Sequence, residues 1–80
     1  MQDFQSLTPR QLEVIEVIAQ GHSDKQASRL LSISANAIKR HVYRSCERLQ
    51  LTNRIQLVVA FAKWQERQSI LLMLDPSRHP

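Results

Sequence analysis

The stretch SDKQASRLLSISANAIKRHVYRSCERL, residues Ser23 to Leu49, decides the fold. Ser23 stands at a helix N-cap, and Gln26 three residues on can return its side chain to the Ser23 backbone, which makes a capping box. Asp24 adds negative charge at the positive end of the same helix dipole. The spacing predicts a short helix over 24–31 with Ala27, Leu30 and Leu31 as its apolar face. Ser32-Ile33-Ser34 breaks that helix, Ile33 looks inward, and Ser34 caps a new start. From Ala35 onward the apolar residues are Ile38, Val42, Cys46 and Leu49, at i, i+4, i+8 and i+11. One narrow stripe of a helix over about 35–49 therefore faces a core and the rest is free. Two helices in sequence joined by about three residues form a helix-turn-helix.

Upstream, Thr8-Pro9-Arg10-Gln11 repeats the capping signal, with Pro at the first helical position where its missing N–H is harmless. Leu12, Ile15, Ile18 and Ala19, widened by Val14 and Val17, give a buried stripe, and Gly21 supplies a positive-φ stop. The first helix is expected over about 9–20. Downstream, Asn53 with Gln56 caps a fourth helix from Arg54. Leu57-Val58-Val59-Ala60-Phe61-Ala62 is apolar on every side, because consecutive residues sit about 100° apart. A domain of this size cannot bury them all, so a second subunit is expected to cover Val58, Val59 and Ala62, with Trp64 flanking them. The alternative is that this run and Ile70–Leu74 both cover one monomer core. The helix can run from Arg54 to Leu74, about 31 Å, or break in Gln65–Ser69, with Ile70–Leu74 folding back or covering the partner. Asp75–Pro80 reads as a disordered tail.

Eighty residues make one domain. The chain is 42% hydrophobic and 22% charged with a single Gly, which suits an all-α fold. The lone cysteine excludes an intramolecular disulfide and fits a reducing compartment, with Cys46 a small core hydrophobe. No signal-peptide pattern opens the chain and no apolar run approaches the 18 or so residues of a membrane span, so a cytoplasmic protein is expected. Ile70–Leu74 alone suggests a membrane-surface helix. Enzyme chemistry is unsupported: there are no paired carboxylates in a pocket-forming context and no Gly-rich phosphate loop. His41 and Cys46, five residues apart on one helix, face different ways and make no zinc site. No cofactor or metal is expected.

The net charge of +4 is unevenly placed. Residues 1–23 hold one base against three acids, whereas residues 24–54 hold seven bases against two acids, a net +5. Residues 55–80 add only +1. Lys39, Arg40, Tyr43 and Arg44 lie opposite the apolar stripe, with Asn36 at the N-terminal end and Glu47 and Arg48 further along. A helix about 10–12 Å across fits a major groove about 12 Å wide. Lys39 and Arg40 can donate to guanine O6 and N7, Asn36 can pair bidentately with adenine, and Tyr43 can reach a base or a phosphate. Arg44 and Arg48 suit the phosphate backbone. Double-stranded DNA is the expected partner.

The run Leu7-Thr8-Pro9-Arg10, Val14-Ile15, Ala19-Gln20-Gly21, Ser23-Asp24-Lys25-Gln26-Ala27, Leu31-Ser32-Ile33-Ser34, Ile38-Lys39, His41-Val42, Leu49 and Arg54 resembles the LuxR-type (GerE/FixJ/NarL class) DNA-binding domain. The resemblance spans about 7–64, leaving 1–6 as an N-terminal arm and 65–80 as a C-terminal helical extension and tail. It implies a four-helix fold, a third helix in the major groove and a homodimer contact from the fourth. Base reading falls on Lys39, Arg40 and Tyr43, and phosphate contacts around Ser34, Asn36, His41 and Arg44. Three departures stand out. Ala37 lacks a hydroxyl that could bond a phosphate, Ser45 weakens the stripe of the third helix, and Gln50 lacks glycine's ease at positive φ. The expected function is a sequence-specific, dimeric transcription regulator that stands alone in the manner of GerE. The alternative is a non-enzymatic antagonist or co-regulator that heterodimerises with another LuxR-type regulator through the fourth helix. Contact with RNA polymerase is a further candidate partnership.

Overall fold

The structure, a computed structural model, describes residues 3–74. A 3-10 turn at Phe4–Ser6 precedes α1 (Pro9–Ala19), α2 (Asp24–Leu31), α3 (Ala35–Leu49) and α4 (Arg54–Leu74), and the described residues contain no strand. The expected disordered tail, Asp75–Pro80, lies outside the described residues.

Local sequence sets the helix starts. The Gln11 N–H donates to Thr8 Oγ1 at 3.1 Å while the Thr8 N–H donates to Gln11 Oε1 at 2.9 Å. Ser23 and Gln26 repeat this reciprocal pair at the same two distances. α3 starts on Ser34, whose Oγ accepts from the Ala37 N–H at 3.0 Å. Before α4 the reciprocal bond shifts by one residue. Asn53 Oδ1 accepts from the Gln56 N–H, but the Gln56 side chain accepts from Thr52 and not from Asn53.

The helix ends are less orthodox. Gly21 has φ +98° and closes α1 by donating to the Ile18 carbonyl. Ser32 and Gln50 close α2 and α3 at φ 56° and 58°, in the left-handed region that favours glycine. Each is followed by a residue whose N–H reaches back into the helix, Ile33 to the Ser28 carbonyl at 3.1 Å and Leu51 to the Cys46 carbonyl at 2.8 Å. These backward bonds satisfy carbonyls that would otherwise be orphaned.

Val14, Ile15 and Ile18 of α1, Ala27 of α2, Ile38, Val42, Cys46 and Leu49 of α3, and Leu57 and Phe61 of α4 form the core. A fully buried side chain of the Leu57 or Ile38 type contributes about 1.5–3 kcal/mol. Leu30 corrects the expected face of α2, since it is 59% exposed. Ala27 and Leu31 align along the short helix, and Leu30 lies about a quarter turn off that line. Ser45 belongs to the buried stripe of α3: it is fully enclosed and donates its Oγ–H to the His41 carbonyl at 2.7 Å. The hydroxyl thereby avoids the penalty of an unpaired buried polar group.

Phe4 is buried in the core, so the segment read as an arm supplies a core residue. Its ring lies 5.4 Å from Trp64 in a stacked arrangement and 5.6 Å from Phe61. α4 continues unbroken through Gln65–Ser69 for 21 residues, about 31 Å. Beyond Gln68 every described residue is exposed.

Candidate nucleic-acid interface

α3 is held from three directions. α2 and α1 pack against it, and α4 closes the remaining side of its buried stripe. The turn leading into it is fixed by the Ser28 Oγ–H, which donates to the Ile33 carbonyl, and by Ile33 itself, packed on the core. Arg54, the first residue of α4, forms an ion pair with Asp24, the first of α2. At the far end the Cys46 thiol donates to the Asn53 carbonyl at 3.6 Å, and burial raises its pKa. Cys46 is thus a packed, unreactive thiol.

With its stripe turned inward, α3 presents Asn36, Lys39, Arg40, Tyr43, Arg44, Glu47 and Arg48 to solvent. Asn36, Arg40, Tyr43 and Glu47 stand at i, i+4, i+7 and i+11 along the line opposite the core. Tyr43 is 65% exposed, with its ring on the same outward surface as the bases. Ser34 is exposed at the helix start. Its Oγ accepts the capping bond, which leaves its hydroxyl hydrogen free to donate to an anion.

His41 lies half-buried on the flank of α3. Its pKa is lowered, first by burial and then by the positive charges of Arg10, Arg40 and Arg44. Arg10, from the first turn of α1, therefore joins the field around this flank. Nothing in the linear charge pattern marks it, because it sits in the acidic first third and pairs with Glu13 at 3.5 Å. Only the packing of α1 on α3 brings it there.

The four residues expected at a subunit contact divide into two pairs. Val59 and Ala62 are exposed on the side of α4 away from the core. Val58 and Trp64 are partly buried against the chain's own core, Trp64 through its stack on Phe4. Both are half-buried, and the N-terminal turn that carries Phe4 covers the side on which Trp64 lies.

No group of metal-ligating side chains occurs among the described residues, and none of the described helices is long and apolar enough to cross a membrane. A short capped helix, a tight left-handed turn and a clamped helix with a basic outer face define the helix-turn-helix class of DNA-binding domains. Residues 5–61 match the family described as bacterial regulatory proteins, luxR family, and the chain belongs to that family. It is 38% identical over 56 residues to YhjB of Escherichia coli (strain K12), covering 70% of this chain and 28% of YhjB. With the nitrate/nitrite response regulator protein NarL of the same strain it shares 33% identity over 57 residues, 71% of this chain and 26% of NarL. With NarP, also a nitrate/nitrite response regulator protein of that strain, it shares 32% over 65 residues, 81% of this chain and 30% of NarP. The chain thus spans under a third of the length of these relatives. It is a LuxR-family DNA-binding domain of a transcription regulator.

Proposed function

We propose that the domain binds double-stranded DNA sequence-specifically, with α3 in the major groove and two copies joined through α4. The observation that carries this reading is the one-sidedness of α3, a buried stripe backed by three helices beneath an exposed face of cations and hydrogen-bonding groups. Lys39, Arg40 and Tyr43 read base edges, with the two cations suited to guanine. Ser34, Asn36, His41, Arg44 and Arg48 hold the phosphate backbone on either side. Val59 and Ala62 belong to the exposed side of the subunit contact, and Val58 and Trp64 support it from the core side. A two-fold dimer sets half-site centres about 34 Å apart, one helical turn. Residues 7–64 carry this activity, with Phe4 anchored to them, and residues 65–80 form the extension. The protein works in the cytoplasm, where its DNA lies.

Selection of binding sites from random duplexes, repeated with Arg40→Ala and Arg48→Ala, tests the assignment. Arg40→Ala is expected to relax one position of the selected sequence by about 1–3 kcal/mol of discrimination. Arg48→Ala is expected to weaken all sequences alike and to lower the salt slope by about one. An Arg40→Ala variant that selected the wild-type sequence with undiminished preference would refute α3 as the reading element.

A further inference from the structure

The second half of α4 lies outside the family match and outside the core. Ile70, Leu71, Leu72, Met73 and Leu74 are 49–75% exposed, and Ile55 and Val59 on the same helix are 76% and 46% exposed. Leu57, Phe61, Trp64 and Gln68 mark the side of α4 that faces the domain. The opposite side carries Ile55, Val59, Lys63, Glu66, Ile70 and Leu74, in two ridges of i+4 spacing that meet between residues 64 and 65. Beside the first ridge lies an open groove of about 450 Å³, lined by Leu51, Ile55, Val59, Ala60 and Lys63 among others.

We infer that the α4 extension of one copy lies antiparallel along α4 of a second copy, with the two-fold axis between residues 64 and 65. This register rests on the self-association proposed above and specifies it. In it residue i faces residue 129 − i of the other copy. Val59 meets Ile70, Ile55 meets Leu74, and Lys63 meets Glu66, each twice by symmetry. The partner's Ile70 and Leu74 then occupy the groove beside Ile55 and Val59. Charge decides the direction. Parallel helices in register would set Lys63 against Lys63 and Glu66 against Glu66, whereas the antiparallel register turns both into attractive pairs. Ile70 and Leu74 gain cover that the single chain does not give them.

Sedimentation equilibrium of the full chain separates the outcomes. The wild type is expected to be a dimer. Glu66→Lys, which sets like charges at both sites, is expected to weaken it about tenfold, and Lys63→Glu combined with Glu66→Lys to restore it. Ile70→Glu, a change at an exposed position that leaves the core intact, is expected to give a folded monomer. A dimer indifferent to Glu66→Lys and to Ile70→Glu overturns this register while leaving a contact centred on Val59 in place. A monomeric wild type overturns both, and so does a monomer that floats with anionic phospholipid vesicles. Weakening by Glu66→Lys without rescue by the double variant refutes the Lys63–Glu66 pairing.

Discussion

α3 and α4 are the two longest helices of the domain, and they use their surfaces in opposite ways. α3 puts its apolar residues on one side and its cations on the other, so a single orientation satisfies it. α4 is apolar around its whole circumference at Leu57–Ala62 and again at Ile70–Leu74, and the domain covers only one side of it. A helix that meets a polyanion needs a wet, charged face over a dry one. A helix that joins two protein surfaces needs two dry faces. The difference separates the element proposed to touch DNA from the element proposed to hold two copies together.

The contrast breaks most visibly if α4 is not a core element. Phe61→Ala empties a site shared with Phe4 and is expected to lose about 3–5 kcal/mol, a large part of the stability of a domain this size. Urea unfolding followed by circular dichroism measures it. A loss below about 1 kcal/mol would mean that the inner face of α4 contributes no more than a surface.

The end of α3 offers a gain. Gln50 holds a left-handed conformation at φ 58°, and Gln50→Gly removes the steric penalty at some cost in unfolded-chain entropy. A net stabilisation of about 0.5–1 kcal/mol is expected, seen as a rise of a few degrees in Tm. An unchanged or lowered Tm would show that the Gln50 side chain supports the turn by some other means.

Smaller again is the tie between the helix-turn-helix and α4. Asp24→Asn removes the charge paired with Arg54, and because both side chains retain solvent access the expected loss is about 0.2–1 kcal/mol. A double-mutant cycle with Arg54→Met isolates the pair. A coupling of zero would free the orientation of α2 from α4.

The least effect is expected from His41, and it changes sign between folding and binding. Burial and the arginines hold its folded pKa below the unfolded value, so the unfolded chain binds the extra proton first as the solution is acidified. Its contribution to stability is complete above pH of about 6.5 and is lost as pH falls from there through the folded pKa. A nearby phosphate would favour the charged ring, so DNA affinity is expected to strengthen as pH falls toward the folded pKa. The difference between wild type and His41→Gln in urea midpoint and in DNA affinity, at pH 7.5 and 5.5, reads both slopes. Parallel slopes would remove His41 from the phosphate contacts.

What was readable beforehand follows from how far each interaction reaches. The caps at Thr8, Ser23 and Ser34 are bonds between a side chain and a backbone three residues away, so the sequence displays them directly. The outward face of α3 was legible for the same reason, since its stripe has a definite phase. α4 has no such phase, and its apolar runs do not tell which of Val58, Val59, Ala62 and Trp64 turn inward. Gln65–Ser69 is polar, which suggested a break, but these residues tolerate helix well and polarity alone does not stop one. Phe4 and Arg10 depend on partners from distant elements, Trp64 and Phe61 for one and the α3 flank for the other.

The stack of Phe4 on Trp64 joins residues separated by most of the chain. Neither lies within the residues that match the family, one falling just before them and the other just after. A contact of such sequence separation carries a large loop-closure cost until α1 and α4 have docked, so it belongs late in folding. Phe4→Leu would therefore hasten unfolding far more than it slowed refolding. The lone Trp64 would report this last step through its fluorescence, making the stack a latch on the lifetime of the native state.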